Sequence, residues 1–150
     1  MKSLSFKLLT TIFAVSFSTH TLSGTDQAEV LYGRWSPDCN SIQGLKVVSS
    51  GTAELDVNSN QIYIEVRLSA EKNHTNVYLE KPLDLGLGGM KLDWKNFSSS
   101  RSIGRITDWS TKKLKFQWIG FYNKKDGQAY WKTNPDFMQT ENAIFYKCGD

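Results

Sequence analysis

At 150 residues, with a formal charge of +3 and 22% charged residues, the chain is sized for one domain and carries no strong basic excess. Lys2 and Lys7 lie in an N-terminal segment read below as cleaved, which reduces the 18 Lys and Arg to 16 against 15 Asp and Glu. That balance excludes an electrostatic case for nucleic acid or an anionic membrane surface as partner.

Met1, Lys2 and Lys7 precede an apolar stretch, Leu8–Phe17, that is too short for a stable bilayer anchor. The pattern predicts a signal peptide over residues 1–23, cut before Gly24 behind the small residues Thr21 and Ser23, with Ser16 and Ser18 marking an earlier alternative site. No cysteine follows closely enough for lipid attachment. Residues 24–150 are therefore expected as a single soluble domain, free of a membrane anchor, in the periplasm.

Gly33-Arg34-Trp35 opens the first strand region, and apolar–polar alternation then recurs along the chain. It is clearest from Gln61 to Leu68, where Ile62, Ile64, Val66 and Leu68 share one face. Shorter strands are predicted at Leu45–Ser49, Ala53–Val57, Asn76–Glu80, Met90–Trp94, Ile103–Trp109, Leu114–Tyr122, Gln128–Lys132 and Ala143–Cys148. Turn residues separate them at Ser49-Ser50-Gly51, Asn58-Ser59-Asn60, Ser110-Thr111-Lys112 and Lys125-Asp126-Gly127, as hairpins require. The expectation is an all-β antiparallel meander forming a single small barrel or a sandwich, with the barrel favoured. Two segments, Pro82–Gly89 and Lys132–Thr140 around Pro135, read as loops, the second with one helical turn.

Cys39 and Cys148 are the two cysteines, and an even count in an exported chain predicts a disulfide. It would join the two ends of the domain, which is the reason for preferring barrel closure.

Catalytic and metal chemistry find little support. With His20 removed, His74 is the lone histidine, placed in the turn-like stretch Lys72–Thr75, and both cysteines are spoken for. Paired carboxylates would suffice for glycoside hydrolysis, but Glu54, Asp56, Glu65 and Glu71 fall on polar strand phases or in turns and read as solvated. The glycines Gly86, Gly88 and Gly89 lack the lysine and strand-to-helix setting of a phosphate cradle. No catalytic residue, metal or cofactor is assigned.

Five tryptophans remain, and most belong in the core, Trp94 and Trp118 above all. Trp131 differs, because Tyr130-Trp131 follows the charged tip Asn123-Lys124-Lys125-Asp126-Gly127. Aromatics beside mixed charge are the composition of a protein-binding surface. The predicted partner-binding set is Tyr122, Lys124, Lys125, Asp126, Tyr130 and Trp131, with Glu80 as a second element beside the Pro82 loop.

Gly33-Arg34-Trp35 resembles the Gly-x-Trp opening of the lipocalins, and that resemblance implies a barrel carrying a small apolar ligand. In overall layout the chain resembles small periplasmic inhibitors of cell-wall hydrolases, including the type VI secretion immunity protein paired with the spike-borne muramidase. That second resemblance implies a non-enzymatic immunity protein whose partner is a peptidoglycan-degrading toxin. An exposed strand edge would also permit a homodimer.

Overall fold

The computed structural model describes residues 31–58, 62–130, 135–138, 140 and 142–149. The expected signal peptide, its cleavage sites and Trp131 lie outside the described residues.

Ten strands form among the described residues: β1 (Gly33–Ser36), β2 (Leu45–Ser49), β3 (Thr52–Asn58), β4 (Ile62–Glu71), β5 (His74–Leu85), β6 (Ser102–Thr107), β7 (Lys113–Trp118), β8 (Phe121–Tyr122), β9 (Ala129–Tyr130) and β10 (Asn142–Lys147). Eight of them close a barrel in the order β1-β10-β7-β6-β5-β4-β3-β2, every neighbouring pair antiparallel, and β8 and β9 stand apart as a two-stranded hairpin. The topology is thus an up-and-down meander whose last strand returns to the first. Closure leaves the eight barrel strands with no unpaired edge among them, and among the described residues the open edges are those of the hairpin.

The alternation seen in the sequence sets the inward rows. Trp35 pairs with Leu45, Leu45 with Leu55, and Leu55 with Ile64, which carries one apolar row across four strands. A second runs through Val47, Ala53, Val66 and Leu79. On the far wall Phe116 stacks on Phe145 at 5.2 Å between ring centres, and Phe137 meets Phe145 edge-on.

The seam between β1 and β10 is covalently fastened. Cys39 and Cys148 form the expected disulfide, with 5.3 Å between their Cα atoms, and the Cys148 amide donates to the Arg34 carbonyl at 2.9 Å. Because the bond ties the two strands that must meet last in chain order, it restricts the open chain where closure is entropically hardest.

Several expected boundaries differ. Met90–Trp94 is not a strand: Leu87–Met90 forms a short helix, α1, and Trp94–Asn96 a 3-10 turn. Three alternating apolar residues fit such a connection equally well, since Trp94 bends back to donate from Nε1 to the Gly89 carbonyl at 2.8 Å. Pro82–Leu85, read as loop, continues β5, and the missing Pro82 amide is absorbed between register shifts at Tyr63/Ile64 and Glu65/Val66. Leu114–Tyr122 is not one strand, because Gly120 adopts φ +99° and turns β8 away from β7. His74 opens β5 opposite Glu71 instead of sitting in the turn. Within Lys132–Thr140, Pro135–Met138 makes a single turn, the Met138 amide donating to the Pro135 carbonyl.

Trp35 and Trp118 are buried as core residues, whereas Trp94 and Trp109 pack against the core half-exposed. Asp56 departs from its expected solvated setting and is only 9% exposed.

Candidate functional site

The β8–β9 hairpin begins on an aromatic anchor. Phe121 is buried, stacked on Phe97 at 5.1 Å and met edge-on by Trp94 at 5.4 Å and Trp118 at 5.5 Å. Backbone bonds reinforce this seat: the Ser98 amide donates to the Tyr122 carbonyl and the Lys124 amide to the Asn96 carbonyl, each at 2.8 Å. The guanidinium of Arg101 lies 5.0 Å from the Tyr122 ring centre.

Beyond this base the tip is exposed and ordered by its own side chains. Asn123 Oδ1 accepts from the Lys125 amide at 2.9 Å and Asp126 Oδ1 from the Gln128 amide at 3.0 Å, so both acidic or amide residues serve as turn formers. The Gly127 amide donates to the Asn123 carbonyl, and the Asn123 amide to the Gln128 carbonyl. The side chains of Lys124 and Lys125 take no part in these bonds and are exposed. A protruding cationic turn on a locked base is already arranged for contact, which lowers the ordering cost of binding.

Of the predicted residues, the structure brings Tyr122, Lys124, Lys125 and Asp126 together. Tyr130 is placed through its backbone, paired with Phe121. Glu80 is exposed on β5, 3.7 Å from Arg67. Arg67 in turn lies over the Tyr78 ring at 4.5 Å and donates to the Ser99 carbonyl at 3.5 Å. Glu80 therefore reaches the hairpin base through Arg67 and the Ser98–Arg101 turn. Phe121, Asn123, Arg67 and Arg101 were not foreseen in this role. The Asn-Lys-Lys-Asp-Gly run carried a readable signal for Asn123, since Asx residues at that spacing build turns.

The barrel interior bears on the carrier alternative. Trp35, Leu55, Ile64, Val66, Val77, Ile103, Ile106, Phe116 and Phe145 each have 0% exposure. A cavity able to hold even water would leave surface on the residues lining it. Among the described residues these nine side chains therefore border no water-sized void and pack against one another.

A separate concavity of about 400 Å³ lies at the ends of β3, β4 and β5, lined by Ile42, Asp56, Ile62, Tyr63, Asp84, Leu85 and Gly86. Asp56 pairs with Tyr63 and Tyr63 with Asp84, so the three stand in one row across neighbouring strands. Tyr63 donates its hydroxyl to Glu54 at 2.6 Å. Its pKa is raised by burial first, then by that hydrogen bond and by the charges of Glu54 and Asp56. Burial and the neighbouring Asp136 carboxylate raise the Asp56 pKa above its ordinary 3.8.

Among the described residues no three His, Cys, Asp or Glu side chains gather as a metal site. His74 Nε2 lies 3.3 Å from Glu71, its register partner at the β4–β5 strand ends.

No protein-family model matches the chain, and neither does any curated protein or solved structure.

Proposed function

We propose that this chain is a periplasmic binding protein that occludes the cleft of a peptidoglycan-degrading, muramidase-type hydrolase, with the β8–β9 hairpin as the inserted element. The observation that carries the reading is the contrast within that hairpin: Phe121 is fixed in an aromatic cluster while Lys124 and Lys125 project from a turn ordered by Asn123 and Asp126. Glycan-cleaving clefts carry paired carboxylates, and a lysine delivered to them competes with substrate. The disulfide and the closed barrel supply a rigid support and are in keeping with an oxidising compartment. The reading assigns no catalysis to this chain, consistent with the resemblance to hydrolase inhibitors and immunity proteins.

The test is inhibition of wall lysis by the purified domain, with Lys124→Ala and Lys125→Ala as variants. Saturable inhibition that these changes weaken supports the reading, and lysis unaffected by the domain contradicts it.

A lipocalin-like carrier is the second reading, favoured by the eight-stranded up-and-down closure and by Trp35 at its seam. The filled interior weighs against it, because a ligand would have to displace several of the large side chains with no exposed surface. Native mass spectrometry of the exported protein separates the two: a carrier retains an apolar adduct, and an inhibitor does not.

A further inference from the structure

Toward one end of β3, β4 and β5 the carboxylates Glu54, Asp56, Glu65 and Asp84 stand on the outer face, and the chain treats these four differently. Glu54 has Lys46 at 3.5 Å together with the Tyr63 hydroxyl, and Glu65 has Lys81 at 3.5 Å. Among the described residues Asp56 and Asp84 have no cation, and Asp56 has no hydrogen-bond donor either. Yet Asp56 is the most deeply placed of the four, 9% exposed, and lines the pocket. A carboxylate largely withdrawn from water without a partner carries a desolvation cost, and the nearby Asp136 increases it.

The surroundings of Asp56 indicate what would relieve it. Asp84 shares its row through Tyr63, which puts a second carboxylate on the pocket wall. The accessible apolar part of the wall is Leu85 and Ile42, the latter 86% exposed, with the Tyr63 ring beside them and Ile62 buried behind at 1% exposure. A volume of about 400 Å³ exceeds that of a bare ion, and the carboxylates do not converge as a metal site among the described residues. The ligand should therefore carry one compact positive charge on an apolar stem.

We propose that this pocket binds an alkylammonium group, with the nitrogen at the Asp56–Asp84 row and the stem against Ile42 and Leu85. A free alkyl amine and a lysine side chain of a partner present the same chemistry. The site shares no residue with the β8–β9 hairpin and does not rest on the inhibitor reading. Ammonium binding supplies the charge that Asp56 lacks, and hydrophobic contact supplies selectivity over smaller cations.

The test is titration of the whole exported domain, followed by amide chemical shifts, with n-hexylamine, n-hexanol and N-acetyl-lysine methylamide. Hexylamine is expected to saturate, moving amides around Ile42, Tyr63, Asp84 and Gly86, while hexanol binds at least about tenfold more weakly. Asp56→Asn and, as an exposed change that spares folding, Asp84→Asn should each weaken hexylamine by about tenfold or more. The control Asp108→Asn should not. Tighter binding of the capped lysine assigns the site to a partner's side chain, and tighter binding of hexylamine assigns it to a free amine. Equal binding of hexanol and hexylamine, shifts centred elsewhere, or unaltered affinity in both aspartate variants overturns the proposal.

Discussion

Lys147 is the register partner of Trp35 across the β1–β10 seam, and its ammonium lies 5.5 Å from the centre of the Trp35 ring. Trp35 is itself anchored by donating from Nε1 to the Leu31 carbonyl at 2.6 Å. A buried indole is thus covered at the seam by the Lys147 side chain. Lys147→Ala should lower stability by about 1 kcal/mol, and Lys147→Met, which keeps the stem, by less. Denaturant unfolding measures both, and equal loss in the two variants would show that charge, not cover, is what matters.

The disulfide fastens the same seam over a sequence separation of 109 residues. Loop-entropy reckoning gives it about 4–5 kcal/mol. Cys39→Ser and Cys148→Ser should each lower the melting temperature by about 10–20 °C, and the double change should be little worse than either. Calorimetry under non-reducing conditions checks this. Additive losses would mean that each cysteine contributes through its own packing.

Gly44 adopts φ +125°, and a methyl group there would collide with the Trp35 carbonyl oxygen. Gly44→Ala combines a conformation disfavoured for side chains with a backbone clash, so it should cost about 3 kcal/mol or more. Gly51→Ala, where only a Leu68 carbonyl stands at 3.6 Å, keeps the positive-φ strain but lacks the clash and should cost less. Comparing the two unfolding midpoints isolates the contribution of the Trp35 contact.

Asp56 makes stability depend on pH in an unusual sense. Its folded pKa lies above the ordinary 3.8, for burial first and Asp136 second, so the folded state holds the proton more tightly than the unfolded chain. That contribution is fully present below the unfolded value and is lost as pH rises through the folded one. Tyr63 and Asp84 from the adjoining strands, Glu54 on its own strand and Asp136 from the 135–138 turn face the same region. Asp56→Asn should therefore stabilise the protein at neutral pH, with the advantage shrinking as pH falls toward 3.8. Parallel denaturation curves across that range decide it, and an advantage that grows on acidification would refute the assignment.

The strands were legible wherever alternation ran long, as in Ile62–Leu68, because a period of two is hard to satisfy otherwise. The disulfide was legible from the cysteine count, and the hairpin tip from Asn123 and Asp126-Gly127. Met90, Leu92 and Trp94 misled because three alternating residues also suit a compact connection, which Trp94 fixes through Gly89. Pro82 misled because register shifts on β4, distant in sequence, accommodate it. The burial of Asp56 was invisible for a similar reason. It sits on a polar phase and is covered from outside the local sequence, with the Asp136 amide reaching the Val57 carbonyl at 3.3 Å.

The inhibitor reading is tested most directly by measuring lysis of purified peptidoglycan by the muramidase-type hydrolases encoded in the same genome as this chain, with and without the purified domain. The account predicts near-stoichiometric inhibition of one of them. Affinity should fall by about 2–4 kcal/mol in Tyr122→Ala or Trp131→Ala where the ring is an anchor, and by less in Lys124→Ala and Lys125→Ala, chiefly through slower association. His74→Ala, at the start of β5, should inhibit as the wild type does. Circular dichroism on each variant separates lost binding from lost fold. Undiminished lysis with every such hydrolase at excess domain, or inhibition that survives all four hairpin changes in folded protein, would contradict the account.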